Sequence, residues 1–367
     1  MKIVSTSYVN TDSYTNPEEW LDRISFYTGL LEELARQYKV ESIEQINYDG
    51  RLIQNEVTYH FLNFKKKKLW FPRRLHHYIK NLDPDVIFVN GFIFPIQIMQ
   101  LRKTLGKKVK IVVLHRAEKP FTGIKGYLQK LADRSVDAYL FASDEFGEDW
   151  VNKGIIKGKE KIHEVMQSSS TFHLEDKTAA KNILKINCDQ VFLWVGRLNT
   201  NKDPLTVIKA FKKYLSFQPG AKLYMIYQAD ELLPEVKNLI NTDDKTRESI
   251  VLIGKVEHRQ LQSWYNAADF FISGSHYEGS GISVCEAMSC GCIPVLTNII
   301  SFRRMTGPGK CGFLYEPGNA EQLSSILLKT SELNIEAEKQ KTLKQFADEL
   351  SFQAIAKKIT RIFNSLN

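Results

Sequence analysis

The sequence contains no CxxC pair, and its five cysteines (Cys188, Cys285, Cys290, Cys292 and Cys311) form an odd set. That pattern argues against a disulfide framework and against a zinc knuckle. No stretch reaches the roughly 18 consecutive apolar residues that a membrane-spanning helix needs. The start, MKIVSTSYVNTDSY, carries one lysine and only a short apolar run, which predicts no secretory leader. The expected address is a reducing cytoplasm. There is no internal repeat of about 20–50 residues and no low-complexity tract.

What is present fits an ordinary globular chain. Its 367 residues suggest two domains. With 43% apolar and 25% charged residues it is neither disordered nor collagen-like. Fifty Lys and Arg against forty-two Asp and Glu leave a formal charge of +8. The balance favours anionic partners without choosing among nucleotides, lipid surfaces and nucleic acid.

Short apolar runs alternate with helical patterns from end to end, which predicts α/β units with right-handed crossovers. Candidate strands are Lys2–Thr6, Val57–Phe61, Val86–Asn90, Lys110–His115, Ala138–Ala142 and Lys161–Val165, then Val191–Val195, Lys222–Tyr227, Ile250–Ile253, Asp269–Ser273 and Ile293–Thr297. Several are continuous apolar blocks, such as VIFVN and VFLWV, as expected of parallel strands covered on both faces. Helical spacing runs from Glu18 to Gln37. It also runs from Pro204 to Leu215, where Asp203 is a candidate cap. The polar segment Gln167–Asn182 lacks a strand pattern and marks a junction. The expected domains are residues 1–175 and 176–350. Residues 351–367 form an amphipathic helix that can pack back on the first domain.

Two segments carry the chemistry. In VFLWVGRLNTNKDP (Val191–Pro204) a buried strand ends at Gly196, and Arg197 and Lys202 follow in the loop before a helix. Ligands of open α/β sheets sit beyond the carboxyl ends of the strands. Two cations there suit an anion such as a diphosphate; otherwise they are solvated loop charges. In FFISGSHYEGSGISVCEAMSCGCIPVL (Phe270–Leu296) a strand runs into Gly279-Ser280-Gly281, and a helix opens near Ile282. Glycines let backbone approach a ligand closely, and free N–H groups at a helix start favour an anion. Glu278 and Glu286 flank this turn. Carboxylates beside a phosphate site are better explained by hydrogen bonds to sugar hydroxyls than by contact with phosphate. The bland alternative leaves them as surface charges.

These segments, with Glu278 and Glu286 separated by seven residues around EGSGISVCE, resemble the signature of family 4 glycosyltransferases. LIGKVEHRQLQSWYNAADFFIS (Leu252–Ser273) and CGFLYEPGNAEQLSSIL (Cys311–Leu327) are similar to that family too. The resemblance runs from about Val191 to Leu328. It implies the α/β GT-B architecture, two Rossmann-like domains facing a central cleft, and retaining transfer from a nucleotide-diphosphate sugar. It further implies that Arg197 and Lys202 neutralise the donor diphosphate, that Glu286 bonds the ribose hydroxyls and that Glu278 faces the transferred sugar. The backbone of Gly279, Ser280, Gly281 and Ile282 would cradle phosphates and sugar. Lys255 and Val256 would lie near the base.

The family often has a glycine pair after its first strand, and Thr6–Trp20 has no glycine. Tyr14, Thr15 and Asn16 are candidates to line the cleft instead. His115 ends a strand, where family members commonly place a histidine or acid that touches the donor sugar. Otherwise it is a satisfied structural histidine. Arg116 and Glu118 could reach the same place, and Asn90 ends another strand. From Phe61 to Arg116 there are thirteen Lys and Arg against Asp83 and Asp85, a local balance of +11. This region, Lys65–Lys80 above all, could rest on an anionic membrane, bind an acidic acceptor or RNA, or be a solvated basic face. Asp83-Pro-Asp85 reads as a turn, and no metal or cofactor is expected.

The function expected from these features is sugar transfer from a nucleotide sugar to a glycan or lipid-linked acceptor in cell-surface polysaccharide synthesis. Its place would be the cytoplasm or the inner membrane face, with no nucleic-acid partner. The alternatives are a nucleotide-sugar epimerase of the same architecture and a non-catalytic binder of anionic surfaces.

Overall fold

A computed structural model describes residues 1–64 and 70–366. Lys65–Lys68 of the basic segment lie outside the described residues. The chain divides into two units: Met1–Ser169 with Phe352–Asn367, and Ser170–Ser351.

The first unit is an eight-stranded sheet. Its strands are β1 (Lys2–Thr6), β2 (Lys39–Glu44), β3 (Gly50–Gln54), β4 (Val57–Phe61), β5 (Val86–Asn90), β6 (Lys110–Leu114), β7 (Ala138–Phe141) and β8 (Ile162–Glu164). Their order is β3-β4-β2-β1-β5-β6-β7-β8, and all pairs are parallel except β3 with β4. The helices are α1 (Pro17–Arg23), α2 (Ser25–Ala35), α3 (Arg73–Asn81), α4 (Pro95–Leu105), α5 (Gly123–Ala132) and α6 (Asp144–Asn152). Fully buried side chains such as Ile87, Val89, Ile111 and Val113 form its core. Each contributes about 1.5–3 kcal/mol of transfer free energy.

The second unit holds β9 (Gln190–Gly196), β10 (Ala221–Tyr227), β11 (Ile250–Gly254), β12 (Phe270–Ser273), β13 (Ile293–Thr297) and β14 (Phe313–Tyr315), all parallel, in the order β11-β10-β9-β12-β13-β14. Its helices are α7 (Lys177–Ile183), α8 (Pro204–Leu215), α9 (Leu233–Ile240), α10 (Asp244–Ser249), α11 (Leu261–Ala267), α12 (Ile282–Ser289), α13 (Ile300–Thr306), α14 (Ala320–Thr330) and α15 (Ile335–Gln345). Phe192 and Phe270 stack at 4.9 Å and lock β9 to β12. The last helix, α16 (Phe352–Leu366), belongs to the first unit and packs on α2. Its buried face is Phe352, Ile355, Ile359 and Phe363, and Phe363 lies 5.6 Å from the ring of Phe88.

Three strands depart from the sequence reading. In β2 the run KVESIE buries Glu41, whose carboxylate accepts from His60 of β4 at 2.7 Å, so a polar residue occupies a core position. β3 joins β4 through Asn55 and Glu56, both at positive φ (48° and 65°). A two-residue turn of that kind usually signals itself by Asn-Gly; Asn-Glu does not. β14 is three residues long. The helical spacing from Glu18 to Gln37 resolves into α1 and α2, broken at Ile24 (φ −104°, ψ 18°).

Candidate active site

In the second sheet the chain leaves β9 toward β10 on one side and β12 toward β13 on the other. The order of strands therefore reverses between β9 and β12, and open α/β sheets bind ligands at the carboxyl ends of such a pair. The loops at those ends are the two motif segments. Proline at the start of α8 and the Asp203 side chain, which accepts from the Thr206 amide at 3.1 Å, fix where the first loop ends. Within that loop Lys202 donates its amide to Asn199 Oδ1 at 3.0 Å.

The two loops are sewn together. Lys202 Nζ donates to Glu278 Oε1, which also accepts from Ser275 Oγ at 2.9 Å. The His276 amide donates to Asn201 O at 2.8 Å, Asn201 Nδ2 donates to Tyr277 O at 3.1 Å, and the His276 ring meets Asp203 Oδ2 at 3.1 Å. Gly274 makes the approach possible, since a Cβ there would stand 2.7 Å from the Asp203 carbonyl oxygen. Arg197 is exposed at the start of the same loop.

Gly281 adopts φ 53°, ψ 59° and turns the glycine-rich loop into α12. That is a left-handed conformation costing other L-residues about 1–2 kcal/mol. The first turn of α12 carries no acid and no capping side chain, so its leading N–H groups are left to other partners. Gly279, Ser280 and Ile282 are half-buried beside it.

Glu286 is held differently. It is 5% exposed. Tyr265 donates its hydroxyl to Oε2 at 2.8 Å, and the His258 ring meets Oε1 at 2.7 Å. Burial and the neighbouring Glu286 carboxylate push the Tyr265 hydroxyl well above its ordinary pKa, so it stays a donor. The sequence does not single out Tyr265 or His258, because nothing local marks a tyrosine on α11 as a partner of α12. Lys255 is exposed and Val256 half-buried after Gly254, which sits at φ 80°.

The first sheet also reverses its order, between β1 and β5. Asn90 ends β5 and donates to Ser5 Oγ and Thr6 O of β1, both at 3.3 Å. Asn90 Oδ1 accepts from Arg116 Nε at 3.1 Å and from Nη2 as well. The guanidinium also lies 4.6 Å over the ring of Tyr27 and donates to Gln167 O at 3.2 Å. Thr6 Oγ1 and Gln167 Oε1 are buried here without a hydrogen-bond partner, a pattern that native structures keep rare. Glu44 belongs to the same group; burial raises its carboxyl above the usual range, opposed by bonds from Ser42 and Trp20 and by Arg116. His115 is buried against Phe141, with ring centroids 4.5 Å apart, and its Nε2 stands 2.8 Å from the Glu118 carbonyl oxygen. Burial pushes its pKa down.

The Thr6–Trp20 candidates border the group around Glu44 and Arg116 through Trp20, whose Nε1 donates to Glu44 Oε2 at 2.9 Å. Asn16 caps α1, accepting from Glu18 N at 2.8 Å and Glu19 N at 3.3 Å. Tyr14 packs edge-on to Trp20 at 5.1 Å. Thr15 and Asn16 line an open depression with Tyr48 and Arg51. Among the described residues no three His, Cys, Asp or Glu side chains cluster as a metal site, and no helix is long and apolar enough to cross a membrane.

Residues 176–349 match the family model described as glycosyl transferases group 1. The poly(glycerol-phosphate) alpha-glucosyltransferase of Bacillus subtilis (strain 168) is 28% identical over 210 residues, which cover 56% of this chain and 29% of that protein. The chain thus spans well under two thirds of that relative. Among solved structures, a glycosyltransferase from Rickettsia africae ESF-5 superposes with a TM-score of 0.74 at 14% identity, covering 100% of this chain and 98% of that one. HepE of Anabaena in complex with UDP gives 0.73 at 15% identity, covering 100% of both chains. Such likeness establishes the fold, which is GT-B. Residues 176–349, just under half of the chain, are thus similar to the glycosyl transferases group 1 family.

Proposed function

We propose that this protein is a retaining glycosyltransferase that moves a hexosyl group from a nucleotide-diphosphate sugar to a glycan or lipid-linked acceptor. The observation that carries the reading is the meeting of Lys202 and Glu278 where the second sheet reverses its strand order, beside the uncapped start of α12. The hard step is cleavage of a sugar–phosphate bond while negative charge grows on the departing diphosphate. Fixed donors aimed at that charge are worth roughly 3–4 kcal/mol each. In this reading Arg197, Lys202 and the N–H groups near Gly281 supply them, without a divalent ion.

The other residues orient. Glu286 takes the ribose hydroxyls, Lys255 and Val256 flank the base, and Glu278 faces the transferred sugar. The sugar passes through an oxocarbenium-like state. The departing phosphate oxygen takes the proton of the acceptor hydroxyl on the same face, so the anomeric configuration is kept. In the first unit His115 and the Asn90–Arg116 group serve the sugar and acceptor. The activity belongs to cell-surface polysaccharide synthesis, in the cytoplasm or at the inner membrane face.

A thermal-shift screen of UDP-, GDP- and ADP-sugars tests the donor. A ligand at about 100 times its Kd stabilises by roughly 2.7 kcal/mol, so the true donor raises the melting temperature. If none does, and no sugar reaches an acceptor, the reading fails. An inverted anomeric product would remove the retaining mechanism alone.

A further inference from the structure

Strands β1, β4, β5 and β6 run in one direction, so the loops that follow them leave the first sheet at one edge. The same edge receives the first turns of α3, α4 and α5, which pack in a row. Side chains tie that row together. Tyr8, after β1, lies edge-on to His76 of α3 and to Phe94 before α4, with ring centroids 5.8 and 5.7 Å away. Gln129 of α5 donates to Phe92 O at 2.8 Å and accepts from the Phe121 amide at 2.9 Å.

This edge holds apolar side chains in water. Of the nine large apolar side chains exposed among the described residues of the first unit, five stand in the loops after β4 and β5 and on α5. Trp70 and Phe71 are each 67% exposed, Ile93 37%, Ile124 82% and Tyr127 62%. Such residues scattered singly need no explanation; five in one row of loops and first turns do. Ile124 and Tyr127 are three residues apart on α5 and share a face.

Charge decides the occupant. Exposed Arg73 and Arg74 open α3, and exposed Lys125 lies in the first turn of α5. None of the three first turns carries an acid or a capping side-chain hydrogen bond, although helix starts favour negative charge. Besides Asp12 after β1, the loops at this edge with these turns contain one carboxylate, Glu118. It is spent on the amides of Phe92 and Arg116, at 3.1 and 2.6 Å.

We infer that this edge of the first unit is a docking surface for an anionic phospholipid bilayer. The aromatic and aliphatic tips enter the headgroup boundary, and Arg73, Arg74 and Lys125 meet lipid phosphates. The inference gives a location to the membrane contact in the functional reading, and it stands whether or not a sugar is transferred.

The test is sedimentation of the full chain with vesicles. Phosphatidylcholine vesicles with roughly 30% phosphatidylglycerol should carry the protein down, and less so at high salt; pure phosphatidylcholine should not. Arg73→Gln with Arg74→Gln should weaken partitioning about 30-fold, since each surface cation is worth about fivefold. Ile124→Asp with Tyr127→Asp should abolish it. All four side chains are exposed, so melting curves of both variants should overlay the parent. Unchanged vesicle binding in either variant overturns the inference. So does a parent that ignores anionic vesicles, dimerises through Ile124 and Tyr127, or binds RNA in their place.

Discussion

Lys202 and Glu278 stand 76 positions apart in the chain and meet as an ion pair, with side chains 22% and 16% exposed. A partly exposed pair of this kind contributes about 0–1 kcal/mol to stability. Its place at the reversal of strand order matters more than its energy, because a cation and a carboxylate held together there can part to take an anion and a hydroxyl.

Arg197→Ala should lower turnover by about 10²–10³ and leave the melting temperature unchanged, because the side chain is exposed. Lys202→Ala should do the same with a slightly larger loss of stability, as Glu278 keeps Ser275 but loses its cation. Steady-state kinetics with the donor found by thermal shift checks both. Near-normal turnover in both variants would remove the diphosphate role.

Tyr265→Phe and His258→Ala should differ in direction. Tyr265 is a buried donor to Glu286, and hydrogen bonds to a charged group are worth about 1.5–3 kcal/mol. Its loss should weaken nucleotide binding roughly tenfold or more. His258 is 41% exposed on the other carboxylate oxygen and can yield to a ribose hydroxyl. His258→Ala should therefore keep or improve affinity. Titration calorimetry with the nucleoside diphosphate decides, and equal losses in both variants would count against a displaceable histidine.

Gly274→Ala should damage the donor site more than the fold. The new methyl would meet the backbone oxygens of Asp203 at 2.7 Å and Lys202 at 3.1 Å, forcing the cation loop outward. Overpacking of this kind costs about 1–3 kcal/mol. Nucleotide binding should fall by more than that loss of stability explains, as read by denaturant midpoint and calorimetry together.

Acid should destabilise the first unit. Burial lowers the His76 pKa from 6.5 to about 4, with Tyr8 2.9 Å from its Nε2. The folded state then binds a proton less readily than the unfolded chain, so stability rises with pH. The contribution is complete above pH 6.5 and is lost as pH falls toward 4, on the order of 3 kcal/mol. His115 is shifted the same way. Denaturant midpoints at several pH values should fall through this window, and His76→Gln should flatten the slope.

The sequence by itself determined the alternation of strands and helices, the parallel sheets and the two loops that carry charge. Each of these depends on neighbours in the chain: continuous apolar blocks such as VFLWV, the proline that starts α8 and the glycines before α12. β2 was illegible because its Glu41 is buried by a histidine from another strand, and no local pattern carries that fact. Tertiary structure alone decided that Lys202 meets Glu278, that Tyr265 and His258 hold Glu286, and that Arg116 closes on Asn90. Those pairings span 21 to 76 residues. They follow from the order in which strands lie in the sheet, which periodicity along one strand does not encode.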